Sequence, residues 1–133
     1  MSAVEKNTNN SDWNLDIDGL KMIAGNSSIK WNVSGENYYW QPGGAGSDSK
    51  RYFEFTTDVA GKLSVWASNT GSSEDLTRMV TVKVGDADPE SLPGGYSSSD
   101  GPHQVDFNIG KGTVKIYPTV NGLRFYKIEF HQN

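Results

Sequence analysis

Residues 51–85 read RYFEFTTDVAGKLSVWASNTGSSEDLTRMVTVKVG, and the alternation in them decides the fold class. Phe53 and Phe55 alternate with Tyr52, Glu54 and Thr56; Leu63, Val65 and Ala67 alternate with Lys62, Ser64 and Trp66; Val80, Val82 and Val84 alternate with Met79, Thr81 and Lys83. A period of two is the mark of strands that bury one face. Asp58, Ala60 and Gly61 punctuate the first connection, and the polar run from Asn69 to Asp75 carries the second. The stretch therefore predicts three consecutive strands, and the middle one turns Lys62, Ser64 and Trp66 outward together. A tryptophan on the solvent side of a sheet needs a reason.

The same rhythm extends in both directions. Upstream it predicts a strand from Trp13 to Ile17, an Asp18-Gly19 turn, an apolar run from Met22 to Ala24, a turn at Asn26 to Ser28, and a strand in which Ile29, Trp31 and Val33 face inward. Downstream, Val105, Phe107 and Ile109 alternate with Gln104, Asp106 and Asn108, and Val114 and Ile116 with Thr113, Lys115 and Tyr117. In the last strand the phase of Tyr126, Ile128 and Phe130 predicts an inward set, leaving Phe125, Lys127 and Glu129 outside. About nine strands result, with no sustained helical stripe and 15 glycines spread through the gaps. That pattern predicts an all-β, antiparallel two-sheet β-sandwich of jelly-roll type.

Two stretches break the rhythm. Tyr38, Tyr39 and Trp40 are adjacent and cannot all enter one core, so either they pack over an end of the sandwich or a ring is left open as a stacking surface. The connection DADPESLPGGYSSSDGP, residues 86–102, is long for a compact domain, as functional or mobile loops are.

A chain of 133 residues, 35% apolar and 21% charged, fits one globular domain with one core. Residues 1–12 read as a linker remnant and 13–133 as the domain, which suggests excision from a larger exported chain. The net charge of −4 disfavours a general nucleic-acid binder. No run is apolar and long enough to cross a bilayer as a helix. The absence of cysteine removes disulfides, thiolate metal sites and a cysteine nucleophile.

Catalytic signals are thin. His103 and His131 stand without a serine elbow, and the carboxylates are scattered, so an enzyme is not expected. Asp16-x-Asp18-Gly19 and Asp86-x-Asp88 are rich in oxygen, but lack the fuller ladder of a calcium loop; solvated turn carboxylates are preferred over a structural calcium ion, and no cofactor is expected.

Glycan binding has more behind it. A pyranose presents C–H groups that stack on flat rings, and its hydroxyls need donors and acceptors. Trp66 with Lys62 and Ser64, and Tyr117 with Lys115 and Thr113, supply that chemistry if their strands share a sheet. Lys127 and Phe125 add to the patch, and Tyr39 and Trp40 are further candidate rings. Ammonium groups concentrated on an acidic protein suggest an anionic ligand such as a uronate polymer. The structural alternative is that such lysines merely guard sheet edges.

The run from Arg51 to Gly85, followed by a turn-rich insertion and GTVKIYPTVNGLRFYKIEF, resembles the β-sandwich modules appended to bacterial pectate lyases and other plant-polysaccharide enzymes of gut and rumen anaerobes. The resemblance covers residues 50–130. It rests on Phe53, Phe55, Gly61, Ser72, Ser73, Asp75, Arg78, Gly122, Tyr126 and Ile128. It implies a noncatalytic, monomeric carbohydrate-binding module, secreted or at the cell surface, that holds an attached catalytic domain near plant cell-wall pectin, homogalacturonan first. Basic side chains hold galacturonate carboxylates in such modules, and Lys62, Arg78 and Lys115 are candidates by chemistry. Arg78 shares the inward parity of Val80, so bracing a loop through Asp75 or Glu74 is its other role. Two further readings remain: an adhesin-like or spacer sandwich whose Trp66 and Tyr117 are covered by a neighbouring domain, and a small hydrolase or lyase.

Overall fold

The computed structural model describes residues 9–10, 14–17, 19–23, 29–34, 37–42 and 44–133, with side chains over 19–23, 39–42 and 44–133. Among these, twelve strands form: β1 (Asn9–Asn10), β2 (Asn14–Ile17), β3 (Leu20–Ile23), β4 (Ile29–Ser34), β5 (Asn37–Pro42), β6 (Tyr52–Thr57), β7 (Gly61–Ser68), β8 (Met79–Val84), β9 (Glu90–Pro93), β10 (His103–Ile109), β11 (Gly112–Thr119) and β12 (Arg124–Gln132). They pair antiparallel in two sheets, β1-β4-β5-β12-β7-β10 and β2-β3-β6-β11-β8-β9. The molecule is an all-β sandwich, as the alternation predicts. The nine expected strands all recur, and Asn9–Asn10, Asn37–Pro42 and Glu90–Pro93 are added to them. Asn9 and Asn10, expected in the linker, pair with Lys30 and Ile29 of β4. The readings of Trp13, Asp18, the Asn26 to Ser28 turn and the direction of the Trp31 ring lie outside the described residues and side chains.

The core lies between the sheets. Leu63, Val65 and Ala67 of β7 and Val105, Phe107 and Ile109 of β10 face Val80 and Val82 of β8 and Val114 and Ile116 of β11. Two ring pairs join the layers: Phe53 of β6 meets Phe125 of β12 at 5.1 Å between centroids, and Phe55 meets Phe130 at 5.6 Å. The fully buried Phe53 and Phe125 stabilise the fold by about 1.5–3 kcal/mol each, and the partly buried Phe55 and Phe130 by less.

The phase predicted for β12 is corrected at its start. A register shift between Phe125 and Lys127 leaves Tyr126 as an extra residue on the strand. Such a bulge reverses the parity on one side of it. Phe125 is therefore fully buried and Tyr126 is turned to the outer face, while Ile128, Phe130, Lys127 and Glu129 keep their expected sides.

The 86–102 connection is tied down. Asn69 N–H donates to the Tyr96 carbonyl, Ser98 N–H to that of Gly71, and Ser97 Oγ to that of Ser72. Gly95 packs so closely on the Asp75 carbonyl that a Cβ there would collide with it, which is why this crossing takes glycine.

Candidate functional site

β7 sits next to the edge of the first sheet, between β10 and β12, and its even-numbered residues point away from the core. Trp66 is half-buried there, opposite Gln104 on one side and Lys127 on the other. The Lys127 ammonium lies 4.7 Å from the Trp66 ring centroid and 2.7 Å from Glu129 Oε1. A cation over an indole face is attracted by the ring quadrupole, and at an exposed site this contributes about 0.5–1 kcal/mol. His131 Nε2 reaches Glu129 Oε2 at 3.1 Å, and hydrogen bonds from Lys127 and then His131 hold the Glu129 carboxyl below the usual carboxylate range.

Ser64 and Asp106 face one another across β7 and β10. Ser64 Oγ donates to Asp106 Oδ1 at 2.6 Å, and Gln104 Nε2 donates to the same oxygen at 2.9 Å. These two donors, Ser64 first, lower the Asp106 pKa. Lys62 is exposed at one end of this row, opposite Asn108 and His131. At the other end the bulge brings Tyr126 beside Tyr39, centroids 5.7 Å apart, with its hydroxyl 2.9 Å from Ser68 Oγ. Arg124 closes this end, its guanidinium 4.4 Å over the Tyr39 ring and its Nε donating to Gln41 Oε1 at 3.4 Å. The outer face of the first sheet thus carries a row running Lys62, Ser64, Trp66–Lys127, Tyr126, Arg124. Hydrogen-bond donors and acceptors flank it.

Lys115 and Tyr117 are not part of it. Both belong to β11, in the second sheet, and point outward on the opposite side of the sandwich. The expectation that their strand shares a sheet with that of Lys62 and Trp66 is corrected: β11 pairs with β6 and β8, whereas β7 pairs with β10 and β12. Residues 44–51 fold over this second face. Gly46 N–H donates to the Pro118 carbonyl at 2.7 Å, and a Cβ on Gly46 would crowd Tyr117 Cβ and collide with the Arg51 carbonyl. Tyr117 is left 6% exposed and offers no stacking face. Burial pushes its phenol pKa up, with Asp48 adding to the shift. Lys115 donates to the Asp48 carbonyl at 2.7 Å and lies 4.6 Å over the Tyr52 ring. Lys83 pairs with Asp48 Oδ2 at 2.9 Å, which lowers the Asp48 pKa and raises that of Lys83. What this face offers is an open polar cleft of about 320 Å3 lined by Asp48, Glu54, Lys83, Asp86, Thr113 and Lys115.

No protein-family model matches the chain, and no curated protein matches it.

Four further candidates are placed by the structure: Trp40, Tyr39 and Arg78 take the packing and bracing roles that the sequence set beside binding, and Phe125 lies in the core. Trp40 is fully buried in the core, opposite Phe125, because neighbouring residues on a strand take opposite faces and Tyr39 takes the outer one. Tyr39, although on the outer face, is 3% exposed beneath Arg124 and Tyr126, so packing accounts for both rings. Arg78 is a brace: its guanidinium donates to Thr70 Oγ1 at 3.1 Å and to the Gly122 carbonyl at 3.0 Å, and its Nε lies 3.4 Å from Asp75 Oδ2 without hydrogen-bond geometry. Phe125, counted with the outer patch, belongs to the core.

Tyr126 and Arg124 belong to the outer row and Gln104 and Asp106 flank it, and none of the four was named from the sequence as a binding residue. One signal for Tyr126 was there. Leu123 and Phe125 are spaced by two, as are Ile128 and Phe130, but the step between the pairs is three, which is what a bulge produces. Among the described residues no group of three or more histidine or carboxylate side chains gathers as a metal site would, and Asp86 and Asp88 are exposed.

Proposed function

We propose that the chain is a noncatalytic carbohydrate-binding module that grips an acidic plant cell-wall polysaccharide, homogalacturonan first, along the outer face of the first sheet. The observation that carries the reading is the pair Trp66–Lys127: a half-open indole on a rigid sheet with an ammonium 4.7 Å above it. A uronate unit has both complements, an apolar C–H face for the ring and a carboxylate for the cation. On binding, the sugar takes the place of the ammonium over Trp66, and Lys127 turns from Glu129 to the uronate carboxylate. Lys62 and Arg124 stand near the two ends of the row, separated by a rise of about 20 Å along β7, room for several sugars in sequence. Such a shallow groove binds weakly, with Kd of order micromolar to millimolar. Its use is to raise the concentration of an attached enzyme at its substrate, from outside the cell or at its surface.

Affinity electrophoresis against polygalacturonate and neutral plant glucans tests this. Retardation by polygalacturonate is expected, weakening with added salt as the ammonium–carboxylate attraction is screened, and abolished by Trp66→Ala. Retardation by a neutral glucan that salt leaves unchanged contradicts the acidic ligand. No retardation by any glycan removes the proposal and moves the reading to a sandwich whose Trp66 is covered by a neighbouring domain.

A further inference from the structure

The four strands at the sheet edges are unequal. β1 has two residues and β2 four; β9 has four, contains Pro93 and follows Pro89. β10 has seven, HQVDFNI, and pairs with β7 from His103↔Ala67 to Ile109↔Gly61 without a register shift. Proteins blunt long edges with proline, lysine, bulges or inward charges, since an unpaired row of N–H and C=O groups accepts another strand. Within β10 there is no proline, lysine, bulge or inward charge, and its one carboxylate, Asp106, points outward and is held by Ser64 and Gln104. Among the described residues, no backbone hydrogen bond outside the β7 ladder engages residues 103–109.

We infer that β10 pairs with β10 of a second copy of this chain, antiparallel about a two-fold axis, joining the first sheets of two molecules into one. The occupant is argued from self-complementarity. Keeping core faces aligned requires that inward residues oppose inward residues. With Phe107 opposite its own counterpart, Val105 faces Ile109, and Asp106 faces the Asn108 amide of the other copy, a carboxylate beside a donor. Shifting the pair by two residues one way sets Asp106 against Asp106, which like charges oppose, and shifting it the other way sets Asn108 against Asn108 and loses both Asp106–Asn108 pairs. The interface is isologous, so the favourable pair occurs twice. The continuous sheet also presents both Trp66 rings on one face, about 25 Å apart from strand spacing and rise.

Sedimentation of the unmodified protein without glycan tests the association, and the cysteine-free background tests the register. A reversible monomer–dimer equilibrium is expected. Under mild oxidation, a mixture of the exposed-site variants Asp106→Cys and Asn108→Cys should give a disulfide-linked dimer in about ten-fold higher yield than either variant alone, because only the mixed pair comes within disulfide reach. A protein that sediments as a monomer up to about 1 mM, or cross-linking that is no greater in the mixture than in the single variants, overturns the inference. Glycan binding is not needed for either readout, so this inference and the proposed function fail independently.

Discussion

Trp66 and Asp106 are exposed to the same solvent on neighbouring strands, yet their environments differ in kind. Trp66 is half-buried with the Glu129-paired Lys127 ammonium over its ring, whereas the Asp106 oxygen is held by Ser64 and Gln104. A carboxyl whose folded pKa is depressed stabilises the fold above its unfolded value of 3.8, and that contribution is lost as pH falls through the folded value. Replacing Ser64 with alanine removes the larger of the two donors. The Asp106 carboxyl should then titrate closer to 3.8, as followed by carboxyl carbon shifts. An unmoved midpoint would show that the Ser64 hydroxyl does not polarise this face. Parity alone made Lys62 and Trp66 legible in the sequence, since a strand with three apolar residues on one side leaves the others outside. It left Tyr39 and Trp40 open, because either phase of three adjacent rings satisfies the alternation until Phe125 supplies the neighbour that takes Trp40 inward.

Single elements were read well where the period ran unbroken and poorly where it slipped. β6, β7, β8, β10 and β11 follow the expected phases, while one extra residue in β12 exchanged the roles of Phe125 and Tyr126. The connection between β7 and β8 was legible as a polar turn, β9 was hidden within the 86–102 connection, and the bonds between these loops depend on contacts far apart in sequence. Arg78 gathers them, joining Thr70 on one loop to the Gly122 carbonyl on another, with its own carbonyl accepting from Gly94 and Gly95. Arg78→Ala keeps the backbone bonds to Gly94 and Gly95 but leaves the Thr70 hydroxyl and the Gly122 carbonyl without their donor, and should lower unfolding free energy by about 1–3 kcal/mol in urea titration. Polygalacturonate binding by the folded variant should be unchanged. Normal stability with lost binding would return Arg78 to the ligand.

At the scale of the molecule, strand rhythm specifies that two sheets form but not which strand neighbours which, because pairing is settled by packing between segments distant in the chain. That is why Lys62 with Trp66 and Lys115 with Tyr117, alike in local sequence, lie on opposite faces. One face carries a row of rings and cations, with Asp106 and Glu129 beside it, on a sheet bulged at Tyr126. The other is covered in part by residues 44–51, with Lys83 and Lys115 already bound to Asp48. The central claim is that only the first face meets an acidic sugar chain. Titrating the labelled protein with an oligogalacturonide and following amide and side-chain resonances tests it directly. The Trp66 indole, Tyr126, Lys127 and Lys62 should shift together while Thr113, Lys115 and Lys83 stay still; shifts centred on Lys115, with Trp66 unmoved, would contradict it.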